Sequence, residues 1–204
     1  MRVRAHTGRN RNDAARDAIL RAAAELLAEE SSAKITVDAI AKRANAGKQT
    51  IYRWWPSKGA VLLDAMVWLA EADVPAPDTG DLNADLTVFV RSTFAAATQH
   101  RSLLLGVLRE ALGDPDTYAQ LEGFAASRRA VLRKILVAGR HSGQIPARRS
   151  IDIAVEQAFG LLWYRLIFAN APLDDAAASR VVDALVTQLQ SARRSPVAAG
   201  GNCQ

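Results

Sequence analysis

Cysteine is almost absent from these 204 residues; Cys203 stands alone near the C-terminal end. A single thiol excludes an intramolecular disulfide framework and a cysteine-based metal site, and it fits a reducing cytoplasm. Histidine is nearly as scarce, and His6, His100 and His141 show no metal-ligand spacing. Neither familiar phosphate-cradling glycine loop is present, and the carboxylates are scattered as helix surface and caps are. With no triad, dyad or metal set, the sequence gives no basis for an enzyme, and no metal or cofactor is expected. Long apolar runs are missing too. The most apolar stretch, Ala158 to Ala169, is interrupted by Arg165 and is too short to span a bilayer. Met1 to Asn12 is basic and polar, without the apolar core of a signal peptide. A soluble cytoplasmic protein is expected.

Apolar residues are plentiful, at 50% of the chain, so a sizeable core can form. The formal charge of +5 is unevenly spread. Residues 1–60 hold 12 Lys+Arg against 6 Asp+Glu, whereas the remainder holds 14 against 15. The whole basic excess therefore lies in the first third, as it would if that part met a polyanion. A basic head that serves only solubility is the plainer alternative.

No strand alternation and no repeat is visible, and helical spacing recurs throughout. Residues 1–12, with Arg2, Arg4, Arg9 and Arg11, read as a flexible basic arm. Asn12 caps a first helix that runs to about Glu30. Thr36 caps a second, with Asp38 in its first turn and Ile35 and Ile40 at the positions of a hydrophobic staple. Asn45 and Gly47 supply the turn, a short third helix spans Lys48 to about Trp54, and Pro56 stops it. Ser57 caps a fourth helix from Lys58 to about Ala72, and Pro75, Pro77 and Gly80 mark the clearest break. Helices over about 82–99, 102–112 and 116–140 follow, then an apolar pair over about 151–170 and 174–193. The tail, 195–204, reads as disordered. The expected fold is all-α: a helix-turn-helix head over 13–57 and a helical body over 58–194.

Two short helices around a tight turn are a common way to present side chains to the DNA major groove. On the second of them Lys48, Gln49, Tyr52 and Arg53 share one outward side, while Ile51 and Trp55 face inward. Lys48 and Gln49 sit at its N-terminal end, the part that reaches base edges. Thr36 and Lys58, each at the start of a helix, are placed for phosphates. Thr36-Val-Asp-Ala-Ile-Ala-Lys-Arg-Ala and Lys48-Gln-Thr-Ile-Tyr-Arg-Trp-Trp-Pro-Ser-Lys58 together resemble the DNA-binding signature of the tetracycline-repressor (TetR) family. The resemblance covers about Asp13 to Met66; beyond it the likeness is architectural. It implies a homodimeric, ligand-responsive regulator, usually a repressor, that binds a palindromic operator in double-stranded DNA. By position Thr36, Thr50, Tyr52 and Lys58 match phosphate contacts of such proteins, and Lys48, Gln49 and Arg53 match residues near base edges. Asn45 and Gly47 depart from the family's usual Gly and Ser or Thr, and Gly47 removes a hydroxyl cap.

The body reads as a binding module for a small, largely apolar effector. Trp68, Phe89, Phe94, Leu104, Leu108, Phe124, Phe159 and Trp163 are candidates for a pocket between its helices, each with core packing as the alternative. His100, Arg109, Tyr118 or Tyr164 could orient a polar ligand group. Three roles are open to Arg165: a surface residue, the partner of a carboxylate, or a ligand contact. The helix pair over 151–193 has more apolar surface than one chain covers, which suits a four-helix dimer interface. Repression relieved by a ligand is the leading expectation. An activator or ligand-independent regulator of the same fold is the alternative, followed by a helical small-molecule-binding protein with no DNA function.

Overall fold

The computed structural model describes residues 7–30 and 34–190, and among them every regular element is an α-helix. Their order is α1 (Thr7–Glu29), α2 (Val37–Arg43), α3 (Lys48–Trp54), α4 (Lys58–Asp73), α5 (Leu82–Gln99), α6 (Arg101–Ala111), α7 (Pro115–His141), α8 (Ile151–Phe168) and α9 (Asp175–Gln190). The arm expected over residues 1–12 is helical from Thr7, so Asn12 does not open α1. A good capping residue ends no helix when the residues before it continue the turn. Arg2, Arg4 and the tail over 195–204 lie outside the described residues.

Local chemistry sets most other ends. Thr36 Oγ1 accepts from the Ala39 N–H at 3.1 Å, Ser57 Oγ from Ala60 at 3.2 Å and Ser150 Oγ from Ile153 at 3.3 Å. Ile35 and Ile40 are both buried at the entry to α2, as a staple requires. Asn45 takes the left-handed backbone, φ 50°, and turns the chain toward α3. Gly47 does not: it is extended, φ −75°, and starts α3 without a side-chain cap. The break after α4 is closed by Asp85, whose carboxylate accepts from the Thr79 N–H and hydroxyl. Both of its oxygens are satisfied, and so a buried carboxylate is tolerated there.

Two hydrophobic clusters form, and they divide the chain differently from the expected boundary at residue 57. The first gathers α1, α2 and α3 with Ala60 to Met66 of α4, and it reaches Leu103, Val107 and Ala111 of α6 and Leu121 of α7. The second joins α5, the C-terminal half of α7, α8 and α9. Helix α4 is thus core to the head as well as its connection to the body.

Candidate functional site

The head presents one polar side. Thr36, Lys48, Gln49, Tyr52 and Arg53 are exposed, Thr50 is half-buried, and Ile51 and Trp55 point into the core. Three ties fix α3 and its supports. The Trp55 indole N–H donates to Asp64 Oδ2 at 2.9 Å, and Arg16 Nη2 reaches the same oxygen at 2.9 Å, so α1, the end of α3 and α4 meet on one carboxylate. Arg43 forks onto Glu29 at 3.0 and 2.7 Å and holds α2 against α1. Trp54 stacks edge-on to Trp55, ring centroids 5.5 Å apart, under the Arg53 guanidinium. Trp55 is therefore packing, and Trp54 is the shelf on which Arg53 rests.

Lys48 meets Asp38 at 2.9 Å and lies 6.0 Å from the centroid of the Tyr52 ring. The hydrogen bond to Asp38, then its charge, hold the ammonium above the usual lysine range. Lys58 is placed otherwise than a free phosphate clamp: its ammonium pairs with Glu110 of α6 at 2.9 Å, both side chains largely covered. That contact ties the start of α4 to the body, across a sequence separation that no local pattern encodes.

In the body, a cleft with about 640 Å³ of atom-free space, its open mouth included, lies between α4, α5, α6, α7 and α8. Of the residues expected to bind an effector, His100, Leu104, Phe124, Phe159 and Trp163 line it. Six do not. Trp68 and Leu108 pack on the head's core, with Arg21 over the Trp68 ring. Phe89 and Phe94 are buried beside a smaller adjoining cavity that Phe159 also lines. Arg109 and Tyr118 face solvent, because α6 and α7 turn those positions outward. Sequence reasoning missed Met66, Leu69, Leu162 and, among polar residues, Thr93 and Arg128. The signal for the last two was faint: Thr93 lies seven residues before His100, the C-cap of α5, and Phe124 and Arg128 are four apart on α7, so each pair falls on one side of its helix.

His100 Nε2 meets Asp73 Oδ2 at 2.7 Å and so joins the end of α4 to the corner between α5 and α6. Arg165 donates to the Pro172 carbonyl at 2.9 Å and braces the α8–α9 connection, and it is not among the residues that line the cleft. Tyr164 is 55% exposed on the outer side of α8, away from the cleft. Among the described residues no cluster of His, Cys, Asp and Glu could hold a metal, and no helix is long and apolar enough to cross a membrane.

This arrangement of a three-helix head on a helical body is found in known proteins. Residues 19–65 match the family "Bacterial regulatory proteins, tetR family", and residues 76–185 match "Tetracyclin repressor-like, C-terminal domain". The chain is 30% identical over 174 residues to the uncharacterized HTH-type transcriptional regulator YdeS of Bacillus subtilis, covering 83% of this chain and 86% of that one. It superimposes on the TetR family transcription regulator SCO0332 with a TM-score of 0.72 at 32% identity, covering 85% of this chain and 97% of the other. FadR from Bacillus subtilis, solved in complex with stearoyl-CoA, shares the fold at a TM-score of 0.65 and 19% identity, over 84% and 97% of the two chains. Reading head, body and relatives agree: the chain belongs to the TetR family of DNA-binding transcriptional regulators.

Proposed function

We propose that this chain is a homodimeric cytoplasmic repressor, regulatory rather than catalytic, that leaves a palindromic operator when a small, largely apolar molecule enters the cleft. One observation carries the link between the two events. Met66 of α4 belongs to the head's core and also lines the cleft, with Leu69 and Ala70 following on the same helix. A ligand that spreads the cleft moves the helix on which the head is packed, and a ligand shifts the population only as far as it prefers that moved state. The head comprises residues 13–57, and the body 58–194, with α4 shared between them. Thr36, Thr50 and Tyr52 serve phosphates, while Lys48, Gln49 and Arg53 serve base edges. Lys58 reaches a phosphate only by leaving Glu110.

The outer face of α8 supports the dimer. Ile153, Tyr164, Ile167 and Phe168 are exposed, and Gly160 between them has open space around it. Together they make an apolar strip that a two-fold copy covers, which sets two heads on successive major grooves, about 34 Å apart. The test is a binding titration of the purified protein against DNA from upstream of its own gene. Salt-sensitive, sequence-preferring binding by a dimer is expected; its absence overturns the reading. A reporter in a deletion strain then gives the sign, since loss of a repressor raises expression and loss of an activator lowers it.

A further inference from the structure

The cleft wall is hydrocarbon or aromatic except at Thr93, His100, Arg128 and the Trp163 indole N–H. His100 is engaged with Asp73. Thr93 Oγ1 and Arg128 Nη2 differ: both atoms are buried, and neither has a hydrogen-bond partner. Arg128 lies with its guanidinium carbon 5.6 Å from the centroid of Phe89, and Thr93 stands one helical turn beyond Phe89 on α5. Burial pulls the Arg128 guanidinium below the ordinary arginine range, with no carboxylate offsetting it. A buried N–H with no acceptor is costly, and more so on a cation. Thr93 is seven residues from His100 and so lies about 10 Å from it along the α5 axis, while Arg128 of α7 lines the same cleft. The cleft is polar at the Thr93–Arg128 end, paired at the His100–Asp73 end and apolar between.

We infer that the cleft takes an amphipathic organic monocarboxylate, its head group received by Arg128 Nη2 and Thr93 Oγ1 and its hydrocarbon or aryl tail lying toward Leu104 and Trp163. A carboxylate answers both orphaned groups and the charge at once: it accepts from a guanidinium N–H and a hydroxyl, and it neutralises the cation. A neutral ester or alcohol accepts the N–H but leaves the half-buried charge unpaired. A coenzyme A thioester offers no free carboxylate to pair with the Arg128 cation. The inference rests on the proposed use of the cleft as an effector site, and the experiment separates the two.

Decanoate and 4-phenylbutyrate are titrated into the full-length protein alongside their methyl esters and decanoyl-CoA, read by calorimetry and by the fluorescence of a variant that keeps Trp163 and carries Phe at Trp54, Trp55 and Trp68. The free acids are expected to bind roughly tenfold or more tightly than their esters. Arg128→Gln is expected to abolish that preference while leaving ester binding in place, Arg128→Lys to restore part of it, and Thr93→Val to reduce it. Esters or the thioester binding as tightly as the acids, no binding by either acid, or a preference that survives Arg128→Gln each overturn the inference. Thermal unfolding shows whether Arg128→Gln folds; if it does not, Arg128→Lys and Thr93→Val carry the same comparison. Acids that bind at Arg128 without releasing DNA leave the carboxylate assignment standing and overturn the effector role instead.

Discussion

Gly59, in the first turn of α4, lies so close to Thr117 of α7 that a β-carbon at Gly59 falls 2.6 Å from the Thr117 hydroxyl and 3.0 Å from its methyl group. Thr117 has no room to yield. It is buried, and its hydroxyl and backbone N–H are both held by Asp114, the cap of α7. The close approach brings the start of α4 against the body just where the Lys58–Glu110 pair also ties it. Helix α4 is thereby seated at its N-terminus by sterics and charge, and at its C-terminus by Asp73 and His100.

Gly59→Ala is accordingly expected to destabilise the protein by about 1–3 kcal/mol, as overpacking does in a close-packed site. Thr117→Ala removes the two nearest atoms, so the double variant should recover part of the loss. A thermal-unfolding cycle over the four proteins measures this coupling. Additive effects would show that α4 and α7 separate freely here.

The elements that were legible in the sequence are those set by near neighbours along the chain. Thr36 and Ser57 cap as expected because a cap needs only a hydroxyl and an N–H three residues on. The polar side of α3 follows from helical spacing alone. The cleft was legible only by half. Aromatic content nominated Trp68 and Phe94, yet burial in either core satisfies an aromatic ring without a pocket. Thr93 and Arg128 became significant only through what fails to reach them, and sequence carries no record of a missing partner. The pairing of Lys58 with Glu110, 52 residues away, was likewise illegible, because only folding brings the two side chains together.

Helix α8 ends on Ala169, whose backbone is left-handed at φ 49° and ψ 31°. A β-carbon makes that conformation unfavourable, and glycine commonly fills it. Relief of that strain outweighs the greater freedom glycine has when unfolded, so Ala169→Gly is expected to stabilise by roughly 0.5–1 kcal/mol. In a chain of this size that corresponds to a rise of about 1–4 °C in Tm. A fall in Tm would mean that the Ala169 methyl makes a contact worth more than the strain.

Acid should weaken the head by a route that can be followed at one residue. Hydrogen bonding from Arg43 holds the Glu29 carboxyl below the usual range, and Thr117 does the same for Asp114. A carboxylate whose folded pKa is depressed stabilises in full above its unfolded value, roughly 4, and loses that contribution as pH falls through the folded value. The stability difference between the native chain and Glu29→Gln should therefore be constant near neutrality and shrink on acidification below about pH 4. Denaturant unfolding across that range measures it. Because the pair is exposed and screened, the effect should also diminish in high salt. A difference that persists unchanged to low pH would show that the ionised Glu29 carboxylate is not its source.

The reading face carries its own restraint, and two substitutions should move DNA binding in opposite directions. Lys48 is paired with Asp38 across the turn, so the ammonium proposed to enter the groove is partly neutralised before DNA arrives. Lys48→Ala is expected to weaken operator binding by roughly tenfold and to relax preference at the step it reads, the loss of a base contact being worth about 1–3 kcal/mol. Asp38→Asn removes a negative charge from the same face and frees the ammonium. It should tighten binding on operator and random DNA alike and steepen the salt dependence, by up to about one counterion. Anisotropy titrations at several salt concentrations on both DNAs separate the two effects. If Asp38→Asn instead weakens binding, the carboxylate positions Lys48 for the groove rather than competing with it. The Lys48–Asp38 pair would then be part of the reading surface itself.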